Sequence, residues 1–131
     1  MIVDADIYGL YAMQSQFQLF KVSFEIEYSA NLALERIKQR LKMINSMYRL
    51  ILMDISPPNN TGIDIGIMIR KFLREEAPDQ PQPYIVMMTS SHAQNDKQRE
   101  MAMQAGMDKV ITKPLFMEDI QMILNAANID F

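Results

Sequence analysis

The stretch that most constrains this chain is Tyr84–Thr89, YIVMMT, an unbroken apolar run that ends in a hydroxyl. A strand with one wet face alternates apolar and polar residues, whereas a continuous run marks a strand buried on both faces. Such strands belong to parallel sheets covered by helices above and below. A second run, Leu50–Met53, stops at one carboxylate, Asp54, and is followed by Pro57, Pro58, Asn59, Asn60, Thr61 and Gly62. Proline cannot donate to a sheet ladder and restricts the residue before it, so the strand ends here. An aspartate at the C-terminal lip of such a strand stands where open α/β sheets place their ligands. Taken alone, it is equally well the first residue of a turn.

The rest of the chain alternates in the same sense. Met1–Val3 reads as the end of a first strand, with the chain starting inside it. Residues from Ile7 to Phe20 carry Leu10, Met13, Phe17 and Phe20 near helical spacing. Lys21–Tyr28 sets Val22, Phe24, Ile26 and Tyr28 against Ser23, Glu25 and Glu27, a period of two that predicts a strand near a sheet edge. Ser29–Asn45 is a helix capped at Ser29 or Asn31, with Leu34, Ile37, Leu41 and Ile44 as its stripe. Ile63–Glu76 follows as a third helix with Ile65, Ile69 and Phe72 inward, then a proline-rich connector, Ala77–Pro83. After the YIVMMT strand, the pattern predicts a helix from Ser91 to Ala105 closing on Gly106, a short strand Lys109–Thr112 ended by Lys113-Pro114, and a last helix Met117–Ala127. Five β-α units with short links imply one α/β domain over residues 1–131, doubly wound, with right-handed crossovers.

Composition sets limits on function. A chain of 131 residues, 49% hydrophobic and 22% charged, is long enough to bury its own core. It has no cysteine and a single histidine, His92, which removes disulfides and thiolate sites and leaves little basis for a histidine metal site or a Ser–His triad. The net charge of −3 and the scattered lysines and arginines argue against a nucleic-acid partner. No apolar run approaches the roughly 18 residues of a membrane span, and no signal peptide is visible. The 13 methionines fall at apolar positions of the predicted elements and read as core.

In a parallel sheet all strands point one way, so their C-terminal ends share a rim. Those ends are Asp4 and Asp6, Asp54, Thr89 and Lys113. Each has a dull explanation alone, but together they form a phosphoryl-handling set. Two or three carboxylates suit Mg²⁺, which takes a couple of acidic oxygens and keeps several waters. Asp54 is then a nucleophile, Lys113 a point charge for phosphate oxygens, and Thr89 a hydroxyl donor.

These residues resemble the receiver domain of two-component response regulators over essentially the whole chain. YRLILMDISPPNNTG is similar to the family's phosphoacceptor segment, with Asp54 as phosphoacceptor and Pro58 and Gly62 in the motif's proline and glycine places. IVMMTSS and AGMDKVITKP place Thr89 and Lys113 at the switch hydroxyl and invariant lysine. The resemblance implies a flavodoxin-like fold with strand order 2-1-3-4-5, and Mg²⁺ held by Asp4, Asp54 and the backbone carbonyl of Ser56. It also implies a histidine kinase or histidine phosphotransfer protein as partner, a setting in the cytoplasm without direct membrane contact, and a place in a hybrid histidine kinase as one parent architecture.

Two departures stand out. Ala5 lies where the family has a second, metal-touching acid; Asp6, on the same side of an extended chain as Asp4, is the candidate replacement. Val110 stands where an aromatic switch residue is usual. Both motivate an alternative, a pseudo-receiver that docks with weak or no phosphotransfer. A further alternative is a phosphatase of the haloacid-dehalogenase type, whose D-x-D nucleophile motif Asp4-Ala5-Asp6 resembles; it leaves the Asp54 segment unexplained.

Overall fold

The structure, a computed structural model, describes residues 1–55, 61–90 and 95–131. The strands are β1 (Ile2–Val3), β2 (Ile26–Glu27), β3 (Leu50–Asp54), β4 (Tyr84–Thr89) and β5 (Lys109–Thr112). The helices are α1 (Ile7–Leu19), α2 (Ala30–Ile44), α3 (Thr61–Glu76), α4 (Asn95–Gln104) and α5 (Met117–Ala126). The sheet is parallel in the order β2-β1-β3-β4-β5, as the resemblance implies.

Alternation along the central strands divides the core in two. Ile51, Met53, Ile85, Met87 and Val110 face α2, α3 and α4, packing with Leu34, Ile37, Ile69, Leu73 and Ala102. Leu50, Leu52, Val86, Met88 and Ile111 face α1 and α5, packing with Leu10, Met13, Phe17, Ile120, Ile123 and Leu124. The unbroken apolar runs are therefore strands with a hydrophobic layer on each side.

Local chemistry sets the helix ends. Ser29 caps α2 by accepting from the Leu32 amide, and Asn45 closes it in the left-handed conformation that asparagine tolerates. Gly106 closes the turn after α4 at φ 93°, a value that strains any side-chain-bearing residue.

Four expectations need correction. The period-two run from Lys21 to Tyr28 yields a strand only at Ile26–Glu27. Lys21 turns with φ 57° straight after α1, and β2 has one neighbour, so its ladder exists only where β1 runs alongside. The alternation also inverts there. Glu27 is buried and held by Arg36 Nε at 2.5 Å, while Tyr28 is exposed. Ile44, expected in the stripe of α2, is exposed in its last turn, whereas Phe72 of α3 does pack inward, partly buried beside the fully buried Leu73. Finally, Met53, Met87, Met88 and Met107 are core, but Met43, Met68, Met101, Met103 and Met122 are exposed.

Candidate functional site

The C-terminal ends of β1, β3, β4 and β5 meet as the alternation requires. Asp54 lies opposite Met88 on β4, Thr89 lies opposite Thr112 on β5, and the Lys113 amide donates to the Thr89 carbonyl at 2.8 Å. Lys113, whose peptide bond to Pro114 is cis, sends its ammonium across the rim. Its Nζ donates to Asp4 Oδ2 at 2.6 Å and lies 3.3 Å from Asp54 Oδ2. The side chain of Asp4 is fully buried and that of Asp54 is 6% exposed, so the partly exposed Lys113 ammonium bridges two nearly dry carboxylates.

Burial drives the Asp4 carboxyl above its usual range, since a dry environment disfavours the charged form. Hydrogen bonds from Lys113 and from the Asp6 amide, which reaches Asp4 Oδ1 at 2.9 Å, pull in the opposite direction, and the charge of Asp54 adds to the rise. Among the described residues, the site thus brings two carboxylates together around one bridging ammonium.

The other expected members divide. Thr89 is fully buried, and its hydroxyl donates to the Ser90 carbonyl at 3.0 Å. Asp6 does not join Asp4 and Asp54. It is exposed and caps α1, accepting from the Tyr8 amide at 3.1 Å, because the chain enters a helix at once after β1. Ala5 is exposed beside it, and Val110 is buried in the core. Ser56 and Pro58 lie outside the described residues. Among the described residues, no three acidic or histidine groups gather as a metal site. Two carboxylates remain, and Mg²⁺ is commonly bound by one or two carboxylates with waters and phosphate oxygens, so Asp4 and Asp54 fit it as a sparse site.

Two neighbours of Asp54 gain a role here: Gly62, which the motif marks without a packing reason, and Gln98, which the sequence reading missed. A Cβ on Gly62 would stand 2.6 Å from Ile55 Cγ2 and 3.3 Å from the Asp54 carbonyl, so α3 can pack against this strand end only through a glycine. Gln98 of α4 donates from Nε2 to the Ile55 carbonyl at 3.1 Å. Its signal was a polar residue one turn before the buried Ala102, on the face of α4 that looks to the sheet.

The profile of the response regulator receiver domain matches residues 1–125. The chain belongs to the response regulator receiver domain family. It is a receiver domain of two-component or phosphorelay signalling. Histidine protein kinase 1 of Candida albicans is 28% identical over 108 residues, and Hybrid signal transduction histidine kinase G of Dictyostelium discoideum is 32% identical over 100. Those matches cover 81% and 76% of the receiver chain, which spans only 4% and 3% of the length of these two relatives. Among solved structures, a putative response regulator from Chloroflexus aurantiacus superposes with a TM-score of 0.77 at 18% identity, covering 97% of this chain and 94% of that one. The receiver domain of a Saccharomyces cerevisiae response regulator, crystallised with its histidine phosphotransfer signalling protein, superposes at 0.72 and 18% identity, covering 95% and 83%. At these identities the structural likeness establishes the receiver fold. Among the described residues, no helix is long and apolar enough to cross a membrane.

Proposed function

We propose that Asp54 accepts a phosphoryl group from a phosphohistidine of a histidine kinase or histidine phosphotransfer protein. The observation that carries this reading is the Lys113 ammonium, poised between Asp4 at 2.6 Å and Asp54 at 3.3 Å. In the transfer, an Asp54 carboxylate oxygen forms the new O–P bond as the N–P bond of the donor breaks, and the donor imidazole leaves with the electron pair. Lys113 is within reach of the oxygens of a group seated on Asp54 and neutralises their charge. Thr89 contributes a hydroxyl at the end of the adjacent strand. Asp4 and Asp54, with the Ser56 carbonyl, are the groups that would hold Mg²⁺; when bound, the ion offsets phosphoryl charge. The domain itself acts as a signalling module and not as an enzyme, in the cytoplasm, and a hybrid histidine kinase is the favoured parent.

The pseudo-receiver reading keeps one specific support: Ala5 supplies no second acid, and Asp6 is turned to the helix cap. Incubation with acetyl phosphate and Mg²⁺, followed by intact mass, separates the two. Wild type is expected to gain a single hydroxylamine-labile phosphoryl group that Asp54→Ala does not. Wild type labelling no better than Asp54→Ala overturns the phosphoacceptor role and leaves a docking module.

A further inference from the structure

Helix α4 is held differently from its neighbours. α5 anchors itself with Ile120, Ile123 and Leu124, all fully buried. Among the described residues of α4, Ala102 alone is buried, while Met101 and Met103 are exposed. An alanine brings little apolar area, so hydrophobic burial fixes this helix weakly. Elements with few buried apolar contacts lie at the low-stability end of a fold and are the ones that move.

Among the described residues, two side chains make up the difference, and each ends on a carbonyl. Gln98 Nε2 donates to Ile55 O at 3.1 Å, and Arg99 Nη1 donates to Val110 O at 2.8 Å. Ile55 follows Asp54 directly and is itself pinned, its amide donating to the Met88 carbonyl at 2.8 Å. Ile55, the residue after Asp54, is therefore held through its amide by β4 and through its carbonyl by α4. Val110 is the place where no aromatic side chain is available to sense Thr89.

We propose that Gln98 is a positioning residue: its amide ties α4 to the Ile55 carbonyl, so that a charge change at Asp54 is passed to α4 through the backbone rather than through an aromatic side chain. The inference rests on the phosphoacceptor role of Asp54. A phosphoryl group on Asp54 draws Lys113 from Asp4 and shifts the end of β3. The Ile55 carbonyl moves with that strand end, and the Gln98 hydrogen bond either follows or breaks. Breaking it removes one of the contacts that hold α4 and lowers the population of its docked state, whereas following carries α4 along with the strand end.

Hydrogen exchange of α4 amides tests this in wild type, Gln98→Ala and Gln98→Lys, each with and without acetyl phosphate and Mg²⁺. Gln98→Ala is expected to speed α4 exchange roughly five-fold in the resting protein, the equivalent of one lost hydrogen bond. It is also expected to remain labelled on Asp54 while losing the label-dependent change in α4 exchange. Gln98→Lys, which retains a long donor, should restore both; α5 amides, held by their own core, should not respond. Resting and label-dependent α4 exchange identical to wild type in Gln98→Ala overturns the proposal. Absence of labelling in wild type overturns the phosphoacceptor role instead, and resting α4 exchange then still decides whether Gln98 holds the helix.

Discussion

Replacing Lys113 with alanine leaves Asp4 and Asp54 facing each other without the ammonium that stands 2.6 Å and 3.3 Å from them. Removing one partner of a fully buried ion pair costs about 3–5 kcal/mol, because the other charge stays dry and uncompensated. Asp4 meets that condition, but Lys113 is 21% exposed, and Asp4 keeps the hydrogen bond from the Asp6 amide. A cost somewhat below that range, about 2–3 kcal/mol at neutral pH, is therefore expected. The pH dependence has a definite sign. Burial already lifts the Asp4 carboxyl above its ordinary value of 3.8, and loss of the cation lifts it further. A carboxyl whose folded pKa exceeds its unfolded one takes up a proton on folding, so its penalty is full at high pH and fades as pH falls through the folded value. Urea unfolding of wild type and Lys113→Ala at about pH 8 and about pH 5 reads this directly, with the deficit largest at the higher pH. A deficit below about 0.5 kcal/mol at the higher pH would mean that the pair behaves as a solvated surface contact. A deficit that grows on acidification would refute the assignment of Asp4 as the stranded charge.

Ala5→Asp should restore a second acid beside Asp4; Mg²⁺-dependent thermal stabilisation and the rate of Asp54 labelling should both rise, and no change in either would show that Ala5 does not limit the site. Glu25 is gripped by Tyr48, Arg36 and Arg40, which together hold its carboxyl below the usual range. Because that side chain is 39% exposed, Glu25→Gln is expected to cost only about 1 kcal/mol at neutral pH. Its depressed pKa contributes stability above the unfolded value of 4.5 that is lost as pH falls through the folded value, so wild type and variant should converge in acid unfolding curves. Gly62→Ala presses a Cβ onto Ile55 and the Asp54 carbonyl and should cost about 1–3 kcal/mol, whereas Gly66→Ala meets only the mobile ends of Met87 and Met107 and should cost less; thermal melts that reverse this order would contradict the packing described for α3.

The sheet and its rim were legible because they depend on patterns that the chain writes locally. YIVMMT and LILM are unbroken apolar runs, and a strand with a helix layer on each face has no other way to read. Asp54 and Thr89 end such runs and Lys113 follows the short strand β5, so placing the strands placed these three residues on one rim. What stayed hidden depends on partners distant in sequence. Glu27 looks like a solvated residue until Arg36 is seen to close over it, and Asp6 looks like a second metal acid until α1 begins beside it and takes its carboxylate as a cap. Gln98 is an ordinary helix residue in sequence, and only the approach of the Ile55 carbonyl gives it a task. Lys21 shows the same limit for the backbone. The period of two ran through it, but its left-handed turn belongs to the end of α1.

The exposed methionines have a practical consequence. Met43 on α2, Met68 on α3, Met101 and Met103 on α4 and Met122 on α5 present thioethers to solvent, whereas Met13, the methionine of α1, is buried. Exposed thioethers oxidise to sulfoxides far more readily than buried ones, and each sulfoxide is read by peptide mass. Four of the five helices thus carry a native footprinting probe. A partner that covers α4 would protect Met101 and Met103 together, one that seats on α5 would protect Met122, and one that approaches over α1 would leave all of them reactive.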